Sequence, residues 1–449
     1  MNYFFETYGC QMNSAESAAL ALACKERGWL QAQDSEHADL VLLNTCSVRL
    51  TAEKRAMGRI AHYAGLKKKH GQKFTLVLAG CMAQRLGEKL IDRHPEVDYV
   101  MGTGARSLFP LILQAAENGG NGEDGGNAGL KISFNDLNEK AVFSFSNSHL
   151  EEGRFRSFVP IMHGCNNFCS YCIVPYVRGR EVSRDPRNIA QEIRLTGERG
   201  VKEITLLGQN VNKYFWENDN MDFSGLLKFI AQEAGKSGVK WLRFLSANPG
   251  NFSSAVIEVL AGSNIFCRHL HLPVQHGSDR ILSAMNRGYT SENFLKLVAG
   301  IRAAMPGVSL STDILVGFPG ETEEDVQRTL QLMDEVKFLY SYMYHFNPRE
   351  GTKAFGLPGR IGEDVKRERL SAVITLQKKH TNMLLKDRIG CTETVLVEGI
   401  SRKNADELIT RTEKDEMAVV PGSKSMIGSF GKVTFSSLKG NTFRAKEIL

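Results

Sequence analysis

Cys165, Cys169 and Cys172 stand in the stretch His163-Gly164-Cys165-Asn166-Asn167-Phe168-Cys169-Ser170-Tyr171-Cys172. Their spacing, Cys-x3-Cys-x2-Cys, gathers three thiolates at a separation suited to an iron-sulfur cubane. A cubane has four irons to ligate, so one stays open unless another residue closes it. An open iron binds a small molecule directly, which suits the loop to chemistry as well as to electron storage. The alternative is a structural zinc with His163 or a distant residue as fourth ligand, although zinc sites more often pair two Cys-x2-Cys halves and no second half lies nearby.

The elements that must position such a loop follow from apolar patterning. In the first hundred residues, Tyr3 to Tyr8, Ala38 to Leu43, Phe74 to Ala79 and Val97 to Met101 read as strands. Ser14 to Gly28, Thr51 to Lys69 and Gln84 to Arg93 read as the helices between them, which makes a βαβ series with a parallel sheet. The run Glu117 to Gly129 is glycine-rich and polar and reads as a flexible linker.

Set on that sheet, Cys10, Cys46 and Cys81 each fall at or just beyond the carboxyl end of a predicted strand. All three therefore project from one edge, the edge where open α/β sheets bind ligands and where helix N-termini favour anionic thiolates. Three ligands again leave an iron open, so a second cluster is expected there. The plainer reading is three small residues filling gaps beside strands. Cys24, Cys267 and Cys391 read as packing residues.

From Phe158 a second alternation begins, with strands expected at Phe158 to Met162, Glu203 to Leu207, Trp241 to Leu245, His269 to Val274, Ser309 to Val316 and Leu339 to Phe346. Six strands separated by helices suggest a partial (β/α)6 barrel, and the cysteine loop follows its first strand, at the end where such barrels carry their sites. After a helix over Glu363 to Leu384, short β runs to Ala445 read as a small β-barrel. The expected domains are 1–130, 150–380 and 381–449.

With 449 residues, 42% hydrophobic and 24% charged, the chain reads as a multidomain globular protein. No apolar run approaches the roughly 18 residues of a membrane span, and the Met1-Asn2-Tyr3-Phe4 start lacks a basic n-region, so a cytoplasmic protein without membrane contact is expected. Nine cysteines in such a chain point to metal or reactive thiols rather than disulfides. A net charge of +6 is compatible with RNA but equally with many enzymes.

The loop's spacing resembles that of the radical S-adenosylmethionine superfamily, which prefers an aromatic where Tyr171 stands. Over nearly the whole chain the residues resemble the tRNA methylthiotransferase family. The match is carried by Thr7-Tyr8-Gly9-Cys10-Gln11-Met12-Asn13, Asn44-Thr45-Cys46-Ser47-Val48-Arg49, Gly80-Cys81-Met82-Ala83-Gln84-Arg85 and Gly164 to Arg184 (GCNNFCSYCIVPYVRGREVSR). Gln11-Met12-Asn13 favours the branch acting on N6-isopentenyladenosine over those acting on threonylcarbamoyladenosine or a ribosomal protein, which share both triads. The tail from about Thr381, through Val395 to Lys403, resembles the TRAM domain, an OB-like barrel that binds RNA.

The resemblance implies a flavodoxin-like N-terminal domain, a radical S-adenosylmethionine barrel and the TRAM barrel. It implies two [4Fe-4S] clusters, one on Cys10, Cys46 and Cys81 and one on Cys165, Cys169 and Cys172, with all six cysteines catalytic as well as metal-binding. S-adenosylmethionine would be used twice, once to methylate sulfur on the auxiliary cluster and once to yield the radical that activates adenine C2. The product would be 2-methylthio-N6-isopentenyladenosine at position 37 of tRNA, beside the anticodon, made by a monomer served by an electron donor and a sulfur donor. The base must leave its stack to reach the clusters, at a cost on the order of a few kcal/mol that is smaller in a loop. A non-catalytic RNA-binding protein with structural metals is the reading from a different class.

In the family the motifs holding Gly208, Gln209, Gln275, Ser278 and Gly317 lie at barrel strand ends and help hold S-adenosylmethionine, so the resemblance makes these, with the aromatic Tyr171, the candidate contacts, against a reading as turn glycines and capping polars. Arg402, Lys403 and Arg411 are candidate phosphate partners in the tail, against a solvated rim. Arg178, Arg180 and Arg184 follow the loop closely enough to clamp RNA or to fix the loop. At Ser246-Ala247-Asn248-Pro249 the family pattern leads one to expect a histidine where Asn248 stands.

Overall fold

The computed structural model describes residues 1–48, 50–70, 75–118, 132–134 and 155–448. The chain opens with a parallel sheet whose strands are β1 (Asn2–Thr7), β2 (Leu30–Gln31), β3 (Leu40–Thr45), β4 (Thr75–Gly80), β5 (Tyr99–Met101) and β6 (Ile132–Phe134). They lie in the order 2-1-3-4-5-6, a doubly wound arrangement of the flavodoxin type. β3 is buried along its whole length, and its alternate residues serve opposite faces. Leu40 and Leu42 meet Leu20 of helix α1 (Gln11–Glu26) and Phe109, while Val41 and Leu43 meet Ile60 and Tyr63 of helix α2 (Leu50–His70).

The helix expected over Gln84 to Arg93 is instead two, α3 (Cys81–Leu86) and α4 (Glu88–Arg93), because Gly87 at φ +51° and ψ −131° breaks the ladder between them. The glycine-rich run lies, from residue 119 on, outside the described residues, as do the expected boundaries at 130 and 150.

Six parallel strands follow: Arg156–Pro160, Glu203–Leu207, Trp241–Phe244, His269–His271, Ser309–Val316 and Tyr340–His345. They form two three-stranded sheets. The sheets are bridged where Leu242 N donates to Ile265 O at 2.7 Å and Cys267 N to Leu242 O at 3.0 Å. Ile204, Leu206, Leu242, Phe244, Leu270 and Ile314 join the helices in one large core. The alternate positions, Thr205, Arg243, His271, Ser311 and Asp313, line the lumen. The fourth strand stops at His271 rather than Val274, since Pro273 has no N–H to give the ladder.

The last five strands, Thr392–Ser401, Asn404–Thr412, Met417–Pro421, Phe430–Lys439 and Thr442–Ala445, close into a barrel. Its centre holds Phe435 and Phe443 stacked 3.9 Å apart. It docks on the amino ends of the larger barrel's strands. Arg156 Nη1 reaches Glu398 at 2.8 Å, Arg243 Nη2 the carbonyl of Thr412 at 2.9 Å, and Ser309 Oγ that of Lys414 at 2.8 Å. The small barrel therefore sits at the end opposite the cysteine loop. Among the described residues no helix is long and apolar enough to cross a membrane.

Candidate active site at a domain boundary

Backbone constraints shape the barrel's cysteine loop before any metal is considered. Gly164 sits at φ +77°, and a Cβ there would lie 1.8 Å from the carbonyl oxygen of Arg180, so no other residue fits. Phe168, at φ +45°, turns the chain between Cys165 and Cys169. Cys165 N donates to Gly179 O at 3.1 Å and Cys172 N to Cys169 O at 2.9 Å.

A second turn clamps the loop from outside. Asn286 Nδ2 donates to the carbonyls of Asn167 and Phe168, both at 3.2 Å, and Ser170 N donates to Met285 O at 3.0 Å. Arg287 Nη1 lies 3.4 Å from Cys169 Sγ while its Nη2 donates to Pro273 O at 2.8 Å. Sequence reasoning missed Arg287. Its only local signal is the turn-forming Asn286 and Gly288 on either side, both in the left-handed region.

The second trio is built on the N-terminal sheet. Cys10 precedes α1, Cys46 follows β3 and Cys81 opens α3, directly after β4. Asn13 ties the first two together: Cys10 Sγ is 3.4 Å from its Oδ1, while its Nδ2 donates to Asn44 Oδ1 and Thr45 O, each at 3.0 Å. Ser47 Oγ donates to Cys81 O at 3.3 Å, which joins the second loop to the third. Gly9, at φ +127°, brings the chain so close that a Cβ there would lie 2.7 Å from Cys46 Cβ.

All nine cysteines are free thiols. Burial, with the neighbouring sulfurs adding to it, pushes Cys165 up to about 11 and Cys172 up to about 12, and burial likewise pushes Cys81 up to about 12. Buried thiols of this kind become ligands when a metal takes the proton's place. Among the described residues no three His, Cys, Asp or Glu side chains converge tightly enough for a single metal ion. A cubane asks for something else, each thiolate taking a separate iron. Soft donors in two sets of three, on loops that admit no larger residue at Gly9 or Gly164, fit two such clusters.

The two sets share a boundary. Cys81 packs against Ile173 and Val177, which follow Cys172 directly. Met12 and Ala15 of α1 pack on Leu207, with Phe158 and Leu245, at the carboxyl ends of the barrel strands. Arg349 Nη1 reaches Glu53 of α2 at 3.0 Å.

The candidate S-adenosylmethionine residues divide. Tyr171 is half-buried with its hydroxyl 3.5 Å from Arg287 Nη1. Gly208 leaves no room for a side chain, a Cβ lying 2.6 Å from Met162 Cγ, and next to it Gln209 Oε1 is buried without a hydrogen-bond partner. Gln275 takes φ +73° and bonds through its backbone to Asp313 and Leu315 at 2.8 Å. Ser278 is wholly buried and gives its hydroxyl to Asp325 at 2.6 Å, while Gly317 N donates to the Glu321 carboxylate. Asn248 is a cap, its Oδ1 accepting from Gly250 N at 2.9 Å.

Three of the proposed RNA contacts are corrected. Arg178, Arg184 and Arg411 are buried and neutralised inside the protein, by Glu16 at 2.7 Å, Glu192 at 2.5 Å and Glu203 at 2.8 Å respectively. A guanidinium removed from water needs such a carboxylate and has no charge left for a phosphate. Arg180, Arg402 and Lys403 are exposed, Arg180 lying 4.5 Å over the ring of Phe168.

Three family models match in order along the chain: Uncharacterized protein family UPF0004 over residues 2–102, the Radical SAM superfamily over 159–333 and the TRAM domain over 386–446. The chain is 49% identical to the tRNA-2-methylthio-N(6)-dimethylallyladenosine synthase of Treponema denticola over 99% of both proteins. It is 41% identical to the synthase of the same name from Geotalea uraniireducens, over 99% of this chain and 98% of that one. In fold it resembles the radical S-adenosylmethionine methyltransferase TsrM of Kitasatospora setae, with a TM-score of 0.58 at 14% identity over 79% of this chain and 74% of that one. With full-length identity of this order and two cysteine trios at one boundary, the chain belongs to the tRNA-2-methylthio-N(6)-dimethylallyladenosine synthases, a family of radical S-adenosylmethionine enzymes.

Proposed function

We propose that the chain methylthiolates C2 of N6-isopentenyladenosine at position 37 of tRNA, giving 2-methylthio-N6-isopentenyladenosine. The observation that carries the reading is the contact of Cys81 with Ile173 and Val177, which brings the N-terminal trio beside the loop of the barrel trio. Cys165, Cys169 and Cys172 would hold the cluster that engages S-adenosylmethionine, and Cys10, Cys46 and Cys81 the auxiliary one. When bound, the first supplies the electron for S-adenosylmethionine cleavage and the second supplies sulfur. A reductant and a sulfur donor from outside the chain complete the turnover.

The protein's own part is placement. Arg287 and Asn286 fix the barrel loop, while Asn13 and Ser47 fix the three N-terminal loops relative to one another. Phe158, Leu207 and Leu245 pack with Met12 and Ala15, an apolar contact that holds the N-terminal domain against the barrel. The exposed Arg180 beside Phe168, and Arg402 with Lys403 on the small barrel, offer cations to an RNA backbone at the two ends of the larger barrel.

The test is nucleoside mass spectrometry of tRNA from a strain lacking the chain. The methylthio nucleoside should vanish and N6-isopentenyladenosine should accumulate, both reversed by the wild-type chain and not by Cys81→Ala. Unchanged 2-methylthio-N6-isopentenyladenosine would sink the proposal, and loss of the methylthio threonylcarbamoyl nucleoside instead would move the chain to the sister activity.

A further inference from the structure

The lumen of the larger barrel carries a carboxylate that the protein does not itself satisfy. Asp313 stands on the strand Ser309–Val316, on the face turned to the lumen, and 26% of its side chain stays exposed there. Among the described residues no N–H or O–H group donates a hydrogen bond to that carboxylate, which faces Nε2 of His271 at 3.5 Å. A carboxylate held inside a barrel without a donor favours a ligand that brings one.

His271 is fixed from behind. Its Nδ1 lies 3.0 Å from Ser311 Oγ, which also meets His269 Nε2 at 2.9 Å. With the serine hydroxyl donating to Nδ1 and accepting from His269, the His271 proton sits on Nε2, beside Asp313. The His271 ring stands edge-on to Tyr342, centroids 5.6 Å apart, and Tyr342 is paired in register with Asp313 and 53% exposed. An acceptor, a donor and an aromatic ring thus lie together on adjacent strands.

Their depth matters as much as their chemistry. Leu315, next on the same face, joins the apolar cluster against which Tyr171 of the cysteine loop packs. Two residues of strand span about 7 Å, so Asp313 lies that much further into the barrel than the layer meeting the loop. The base of N6-isopentenyladenosine has one N–H, at N6, and N6 and N7 border the edge of the ring opposite C2. A carboxylate at N6–H and an imidazole N–H at N7 therefore grip the far edge and leave C2 pointing to the mouth. Aromatic side chains beside such polar groups are the usual surface for an unstacked base.

We propose that Asp313 is the specificity-determining residue for the target base: it accepts the N6–H of the isopentenyladenosine, with His271 donating to N7, and so aims C2 at the cysteine trios. The inference rests on the reading of the substrate as that nucleoside in tRNA and deepens it, since it names the edge by which the base is held.

The experiment is a cycle that changes one partner on each side of the contact. The anaerobically reconstituted full chain and its Asp313→Ala variant are each given two anticodon stem-loop RNAs, one with N6-isopentenyladenosine at position 37 and one with N6-methyl-N6-isopentenyladenosine, which has no N–H. Wild type should methylthiolate the first about 10- to 100-fold better in kcat/KM, as for a hydrogen bond to a charged group. Asp313→Ala should treat the two alike to within about threefold. No preference in wild type, or the same preference in both proteins, overturns the proposal, as does a variant whose whole defect is a raised KM for S-adenosylmethionine. Where Asp313→Ala does not fold, the same cycle with His271→Ala and 7-deaza-N6-isopentenyladenosine decides: a wild-type preference for N7 that the variant loses supports the proposal, and one that it keeps overturns it. A wild-type chain inactive on the isopentenyl RNA defeats the reading of the substrate, and the proposal with it.

Discussion

Arg411 of the C-terminal barrel places its Nη2 2.8 Å from Oε1 of Glu203, the first residue of the second strand of the larger barrel, and both side chains are buried. Arg156 and Arg243 converge on the same carboxylate oxygen at 3.3 and 3.4 Å. Burial pushes the Glu203 carboxyl up, but Arg243, Arg411 and Arg156 together outweigh it and hold it below the usual carboxylate range. One carboxylate therefore ties two domains across the base of the barrel.

Breaking that tie should be expensive. Glu203→Gln leaves guanidinium groups buried without their shared anion, a change that typically costs about 3–5 kcal/mol. Urea unfolding of the metal-free chain should show the loss, and protease should cut first near residues 386–392, where the small barrel joins. A loss under about 1 kcal/mol would mean that the interface is held by Trp241, Cys267 and Leu396 instead.

The same carboxylate sets a direction with pH. Glu203 binds its proton more weakly folded than unfolded, so its contribution is complete above the ordinary glutamate value of about 4.3 and is lost as pH falls through its lower folded value. Wild-type unfolding midpoints should fall across that window more steeply than those of Glu203→Gln. Parallel curves for the two would argue against the assignment.

Gly164→Ala should remove the barrel cluster while sparing the other. The new Cβ would meet the Arg180 carbonyl oxygen at 1.8 Å and the Gly179 oxygen at 2.7 Å, both backbone, so no side chain can yield. Iron should drop from roughly eight to roughly four atoms per chain. Formation of 5'-deoxyadenosine should cease, and full iron content in this variant would contradict the clash.

The places of the six cysteines were legible in the sequence, three on the loop after the first barrel strand and three at strand ends of the N-terminal sheet, because a cysteine's place in a βα unit is a local property. The barrel's strands were legible for the same reason, Glu203–Leu207 and Ser309–Val316 to the residue. The arginines were not. Arg178 and Arg411 read as solvent-facing cations because their neutralising carboxylates, Glu16 and Glu203, lie 162 and 208 residues away, and no window of sequence contains both partners. Arg287 escaped notice likewise, since what makes it matter is Cys169, 118 residues earlier.

Gly9→Ala should act as the mirror image of Gly164→Ala. A Cβ at φ +127° is strained by about 1–3 kcal/mol, and it would stand 2.7 Å from Cys46 Cβ and 3.2 Å from its sulfur. Cys46 must then move away from Cys10 and Cys81. Iron should again fall to roughly half, but 5'-deoxyadenosine formation should persist. Equal loss of both clusters would indicate that the N-terminal domain as a whole had come apart.

Replacing Cys10, Cys46 and Cys81 together by alanine tests the division of labour most directly. The barrel loop takes its shape from Gly164, Phe168, Asn286 and Arg287, none of which touches the N-terminal sulfurs, so the remaining cluster should assemble and cleave S-adenosylmethionine. With no second centre to supply sulfur, no methylthio product should form. Liquid chromatography of the reaction should therefore show 5'-deoxyadenosine without thiolated nucleoside. Disappearance of 5'-deoxyadenosine as well would mean that the trios act as one unit, with S-adenosylmethionine cleavage dependent on the partner centre across the boundary.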